Sequence, residues 1–189
     1  MKPLNAEPDR QFTVFTLGEL EYAIDIMRIS QIIQPQPIRP VPRAPSYIEG
    51  VIELRGVVVP IMDLRRRLGL ELLPATRATK FIIVQLDRRL VGLIVDGVVG
   101  VHRVGRSAIR RTPEGIAGPE AAVFSGVCRR GDHLVLLVEL AALVSSEENL
   151  QLGGLTLDSD RDWSGEAPEA DVVEAGGAGD DVDDWWESE

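Results

Sequence analysis

Few residues in this chain have the chemistry to act. The 189 residues contain two histidines, His102 and His133, and one cysteine, Cys128. Neither their number nor their spacing builds a structural zinc site. No Gly-x-Ser-x-Gly elbow, P-loop or Gly-x-Gly-x-x-Gly is present. His133 follows Gly131-Asp132, which suits a polar residue at a hairpin turn better than a fragment of a triad. Asp25 and Asp96 could form an acid pair, but each sits where a strand end bonds nearby backbone. Cys128 lies in an apolar run and reads as a small buried side chain. The inventory gives no positive case for an enzyme, a metal or a cofactor. One charged residue stands out instead. Arg55 lies between the apolar runs Tyr47–Leu54 and Val57–Leu64, where Arg55-Gly56 reads as a hairpin bend. Its charge is offered outward.

The elements around that bend follow from local chemistry. Asp63 is a good N-cap and Gly69 a good stop, so one or two helical turns follow the second strand. Upstream, Phe12 to Leu17 is rich in β-formers, Gly18 to Glu21 turns, and Tyr22, Ile24 and Ile26 alternate on one face. Ile26, Ile29 and Ile33 fall at helical spacing and predict a short amphipathic turn. Five prolines in Gln34–Pro45 exclude a helix and a central strand there. A segment of this kind can serve as a polyproline ligand or pack down between its apolar flanks. Lys80–Leu86 and Leu90–Val95 read as strands joined by a turn, and Val98, Val99 and Val101 resume extended structure after Asp96-Gly97. Arg103–Glu120 reads as a long loop. Ala121–Cys128 and Leu134–Val138 read as strands around Arg129–Asp132, and Glu139–Val144 as a last short helix.

The halves echo each other. Gly50-Val51, Arg55-Gly56 and Asp63-Leu64 are matched by Gly126-Val127, Arg130-Gly131 and Glu139-Leu140, and Phe15-x-Leu17 by Val84-x-Leu86. This predicts a duplicated unit of about five strands, hence an all-β chain of two small barrels that share a core.

Charge divides the chain differently. From Glu148 onward there are fourteen acidic residues against Arg161 alone, a balance of −13; taken from the total of −10, this leaves the first 147 residues near +3. A mildly basic body with an acidic tail argues against nucleic acid as a partner. No apolar run approaches the ~20 residues of a membrane span. The single cysteine and the absence of a secretory signal in Met1–Arg10 fit a cytoplasmic location. The expected organisation is a flexible arm at 1–11, a folded body at 12–147, and a disordered acidic tail at 148–189 ending in Trp185-Trp186, whose exposed aromatics suit a candidate peptide motif.

The ordered motifs together resemble the CheW-like coupling domain of bacterial chemosensory systems, from about Phe12 to Ser145. They are Phe15-Thr16-Leu17-Gly18 with Tyr22–Ile26, Val41-Pro42-x-Ala44-Pro45-x-Tyr47-Ile48-x-Gly50-Val51, Leu54-Arg55-Gly56-x-Val58-Val59-Pro60-Ile61-x-Asp63-Leu64, and Gly92–Val98. The resemblance implies two five-stranded SH3-like barrels. It also implies a non-enzymatic adaptor, one that bridges chemoreceptor cytoplasmic tips to the regulatory domain of a CheA-type histidine kinase and supports a membrane-associated or cytoplasmic array. With no receiver or kinase domain in the sequence, a stand-alone coupling protein is expected. By resemblance, Arg55 and Gly56 in the bend, Gly50 before it, and Ile29 and Gln31 after the second strand are partner-binding positions. The second of these is commonly acidic in relatives, so a charge contact at Gln31 is not expected. Gly92, Val98 and Val101 resemble a groove between the barrels that takes a receptor hairpin; plain core is the competing reading for the two valines, and a solvated turn charge for Arg55. Trp185 and Trp186 loosely resemble tryptophan-bearing tethers that recruit an adaptation methyltransferase. A second function class stays open: a small-ligand-binding β-barrel sensor acting on a signalling partner.

Overall fold

The computed structural model describes residues 9–86, 89–112 and 121–143. The N-terminal residues 1–8, the tail with Trp185 and Trp186, and its expected disorder lie outside the described residues.

Ten strands form two five-stranded sheets. They are β1 (Arg10–Leu17), β2 (Leu20–Asp25), β3 (Ile29–Ile33), β4 (Ile48–Leu54), β5 (Val57–Asp63), β6 (Lys80–Leu86), β7 (Arg89–Val95), β8 (Gly97–Val104), β9 (Phe124–Arg130) and β10 (His133–Val138). A single helical turn, α1 (Leu64–Arg67), follows β5. The first sheet has the order β8-β1-β2-β10-β9 and the second β3-β6-β7-β5-β4. All pairs are antiparallel except β10 with β2 and β5 with β7.

Each sheet curls around its own interior. Phe12, Val14, Ala23, Cys128, Val135 and Leu137 fill the first barrel. Ile52, Val59, Ile61, Phe81 and Ile83 fill the second. The opposite faces of the same strands supply a third and larger cluster, with Phe15, Tyr22 and Ile24 meeting Ile82, Val84 and Leu93. Strand side chains alternate between faces, so one run of apolar residues serves both an interior and the shared core. Burial of each such side chain contributes about 1.5–3 kcal/mol, and the shared cluster makes two small barrels viable together.

The duplication is present, but the barrels are not consecutive in sequence. β3 follows β2 of the first sheet and joins the second, while β8 follows β7 of the second and joins the first. The first barrel therefore takes β1 and β2 from the first half of the chain and β8–β10 from the second, and the second barrel takes β3–β5 and β6–β7.

Three local expectations need correcting. Ile26–Arg28 is one 3-10 turn and Ile29–Ile33 is a strand rather than an amphipathic helical turn. Pairing with Phe81–Val84 of β6 overrides the helical spacing of the isoleucines. The first strand begins at Arg10, so Arg10 and Gln11 belong to the sheet rather than to the arm. The described part of the segment after Arg103 is not all loop, since Val104 is still in β8 and Arg110 bridges Val127.

Candidate functional site

The β4–β5 hairpin forms as its sequence predicts. Leu54 pairs with Val57, leaving Arg55 and Gly56 as the two-residue turn. Both have positive φ, +54° and +80°, the signature of a type I′ turn, whose strand-matching twist favours Asn-Gly. Gly56 adopts this freely. Arg55 does not, since a Cβ in the left-handed region costs about 1–2 kcal/mol. Arg55 is exposed, and its guanidinium has no hydrogen-bond or ion partner among the described residues. The hairpin thus presents an unpaired cation at its tip, beside exposed Val57.

Gly50 and Gly92, assigned by resemblance, sit where the fold leaves no room for a side chain. Gly50 is buried at φ +145°, and a Cβ there would strike the carbonyl of Arg39. The cause is a bridge in which Arg39 N–H donates to Val51 O at 2.9 Å and Val51 N–H to Arg39 O at 2.8 Å. The other half repeats this device. Gly126 would strike Arg110 O at 2.8 Å, where Arg110 bridges Val127. A feature present in both barrels is explained by the fold. Gly92 is buried against the interior of the second barrel. A Cβ on it would collide with Ile61 and lie 3.2 Å from Ile83 Cδ1, both inside the second barrel.

Four of the remaining sequence candidates divide between two strands. Ile29 and Gln31 are half-buried on β3, an outer strand of the second sheet. Val98 and Val101 lie on β8, an outer strand of the first. Ile29 pairs with Val84 and Val98 with Phe15, and both pack on the shared core. Val101 pairs with Thr13 and is 56% exposed, so the core reading fails for it and holds in part for Val98. Sequence reasoning missed Ile32, which pairs with Ile82 and is 40% exposed, and Met27, which is 86% exposed. The signal for Ile32 is the duplication itself, because it stands in β3 where Val101 stands in β8.

Several further charged groups bond within the fold. Asp25 accepts from Met27 N–H at 3.0 Å and pairs with Arg10 at 2.7 Å. Asp96 accepts from Gly18 N–H at 2.7 Å and pairs with Arg65, which is only 6% exposed. Arg65 also donates to Leu73 O at 2.7 Å, and Arg67 to Leu143 O at 2.6 Å. These arginines of α1 therefore tie elements from both halves of the chain together, a role invisible in the run Leu64–Leu68. Arg130 is not the counterpart of Arg55. It pairs with His133 at the end of β9, so the matching turn is Gly131-Asp132. Its guanidinium grips Glu21 through both carboxylate oxygens, at 2.9 Å for Nε to Oε2. That bond holds the Glu21 carboxyl below its ordinary range, against the opposing effect of burial. His133 Nδ1 stands 3.8 Å from Glu21. Burial pushes the Cys128 thiol up, which keeps it a protonated, weakly nucleophilic side chain.

Among the described residues no group of three or more His, Cys, Asp or Glu is placed to hold a metal ion, and no helix is long and apolar enough to cross a membrane. The barrel interiors are filled by side chains. A cleft of about 250 Å³ lies beside the second barrel against Ile38, Leu72, Leu73 and Ile94, and the Glu49–Arg66 ion pair at 2.8 Å lines it.

Residues 11–148 match the family model described as a CheW-like domain. The chain belongs to the CheW-like domain family. It is 36% identical over 149 residues to a probable chemotaxis protein CheW of Rhizobium etli, covering 79% of this chain and 96% of that one. It is 34% identical to chemotaxis protein CheW of Klebsiella aerogenes, covering 74% of this chain and 84% of the relative. Among solved structures, it resembles the scaffolding protein TtCheW of Thermoanaerobacter tengcongensis with a TM-score of 0.69 and 26% identity, covering 78% of this chain and 96% of that one. The two SH3-like barrels expected from the motifs are thus the fold of this CheW-like chain. The acidic segment after residue 148 lies beyond the family match.

Proposed function

We propose that this CheW-like chain is a non-enzymatic chemosensory coupling protein. It joins the cytoplasmic tip of a chemoreceptor to the regulatory domain of a CheA-type histidine kinase, in the cytoplasm at a receptor array. The observation that carries this reading is Arg55, an exposed cation without a partner among the described residues, held in a backbone conformation that arginine adopts at a cost. Backbone strain of this kind persists where function uses it. Ile29, Gln31, Val98 and Val101 supply apolar and half-buried contact surface on the outer strands, and Arg55 adds a charge-assisted, geometrically specific bond to a carboxylate. Gly50, Gly56 and Gly92 support these elements through the turn and the packing. Each contact is modest, and an array multiplies modest contacts through avidity.

The test mixes the full chain with a receptor-tip fragment and with the kinase regulatory domain. Binding of both is expected. Failure of both to bind at up to ~100 μM, equivalent to about −5.5 kcal/mol, overturns the reading.

A further inference from the structure

The cleft of about 250 Å³ opens at the root of the β4–β5 hairpin, where Glu49 and Asp63 line it. Glu49 lies six residues before Arg55, a rise of ~20 Å along a strand. The cleft is therefore separate from the contact proposed for the hairpin tip. Its outer wall is the connection 70–79 between α1 and β6, which carries Leu72 and Leu73, both largely exposed. This wall is built, although it holds neither helix nor strand. Arg65 donates to Leu73 O at 2.7 Å, and Leu70 N–H donates to Arg65 O at 2.8 Å. Thr76 N–H donates to Thr79 Oγ1 at 2.8 Å, and Lys80 Nζ to the carbonyls of Arg77 and Ala78 at 3.1 Å. Arg65 also pairs with Asp96, which accepts from Gly18 N–H of the first sheet. Walls pinned in advance keep the ordering cost of binding low.

The polar groups of the cleft are out of balance. Its carboxylates are engaged. Asp63 Oδ1 accepts from Arg65 N–H at 2.8 Å, and Glu49 stands 2.8 Å from Arg66 Nε. Its guanidiniums are only partly engaged. The Arg66 side chain is 43% exposed, and its two Nη groups have no acceptor among the described residues. Arg65 is buried, and its Nε has no acceptor there either. An arginine carries five N–H donors, so what the cleft lacks is an acceptor.

We propose that this cleft binds a small aromatic carboxylate. The ring lies against Ile38, Leu72, Leu73 and Ile94, and the carboxylate accepts from the Arg66 Nη groups in the planar, bidentate manner that suits a guanidinium. Volume sets the size class. The cleft exceeds the ~150 Å³ of a cavity that takes up benzene and falls short of the ~300–1,000 Å³ of sites for drug-sized ligands. One ring with a short acid arm fits that range, and a nucleotide does not. Both barrel interiors are filled by side chains, so the ligand sits beside a barrel and not within one. The site gives the chain a small-molecule input in addition to its protein contacts.

The experiment titrates the full chain with phenylacetate and with indole-3-acetate at neutral pH, by calorimetry and by thermal melting. At least one acid should bind with a Kd at or below ~1 mM. At ~10 mM it should raise the melting temperature by about 3–6 °C. Phenethylammonium, similar in size and opposite in charge, should bind at least about tenfold more weakly. Arg66→Gln and Leu73→Asn should each weaken the acid about tenfold while melting like wild type without ligand; Arg66→Lys and Leu73→Ser replace either variant that unfolds. The proposal is overturned if neither acid binds wild type at ~10 mM, if the ammonium binds as tightly as the acids, or if the Arg66 variant binds them like wild type. Each of those results leaves the coupling reading standing, because receptor-tip and kinase binding are measured without the acid.

Discussion

Replacing Arg55 by Asn separates the folding role of the turn from its recognition role. Asn accepts the left-handed region readily because its short side chain bonds locally, whereas Arg gains nothing from φ +54°. Arg55 makes no side-chain hydrogen bond or ion pair among the described residues that the substitution would break. Relief of strain should therefore stabilise the chain by about 0.5–1 kcal/mol. For a folded body of this size that raises the melting temperature by about 2–4 °C. Partner binding should move the other way. Loss of one charge-assisted hydrogen bond costs about 1.5–3 kcal/mol, which weakens affinity by about 10- to 150-fold. Arg55→Glu should go further, abolishing assembly while leaving the melting transition nearly unchanged. Thermal melting and a binding titration on the same samples read both quantities. A variant that is more stable and binds less is the expected result. Destabilisation by more than about 1 kcal/mol would show that Arg55 makes a folded-state contact. Unchanged affinity would refute its role in recognition.

Four further outcomes follow from particular residues. Gly92→Ala should cost about 1–3 kcal/mol by overpacking against Ile61 and Ile83, and a urea titration will show a lower midpoint; an unchanged midpoint would mean that the barrel interior yields. Glu21 has its carboxyl held below the ordinary value of 4.5 by Arg130. Its contribution is therefore fully present above that pH and is lost as pH falls through the lowered folded-state value. Glu21→Gln should flatten the acid limb of stability against pH and cost about 1–3 kcal/mol at neutral pH; an acid limb identical to wild type would rule out this pair as its source. Cys128 is buried with a raised thiol pKa, so alkylation by iodoacetamide should require unfolding, and rapid labelling of the native chain would contradict the burial. Removal of residues 149–189 should leave the melting of the body unchanged, and unfolding on truncation would overturn the expectation of a disordered tail.

The local chemistry of this chain is written in its sequence. The Arg55-Gly56 turn, the Asp63 cap, the strand runs and the duplicated Gly-Val pairs each depend on neighbours a few residues away. Strand alternation and turn residues therefore suffice to find them. The cap is a direct case, with Asp63 accepting from Arg65 N–H at 2.8 Å. Recognition of the family worked because its motifs are such local pieces kept in order.

What the sequence left open depends on distance along the chain. The helical spacing of Ile26, Ile29 and Ile33 was misleading because β6, some fifty residues later, recruits Ile29–Ile33 as a strand. The crossing of the chain from one barrel to the other at β3, and back at β8, has no local signature, because either sheet would satisfy the same alternation. Burial of the shared core decides it, since each crossing strand lays one face, through Ile29 or Val98, against that cluster. The same holds for charge. In sequence Arg55 and Arg130 are equivalent arginines near a glycine. In the fold Arg130 reaches Glu21, 109 residues away, and is spent on structure, while Arg55 finds no such partner among the described residues. Turn and strand signals act over one or two residues of chain; the availability of a side chain is settled only when distant segments meet.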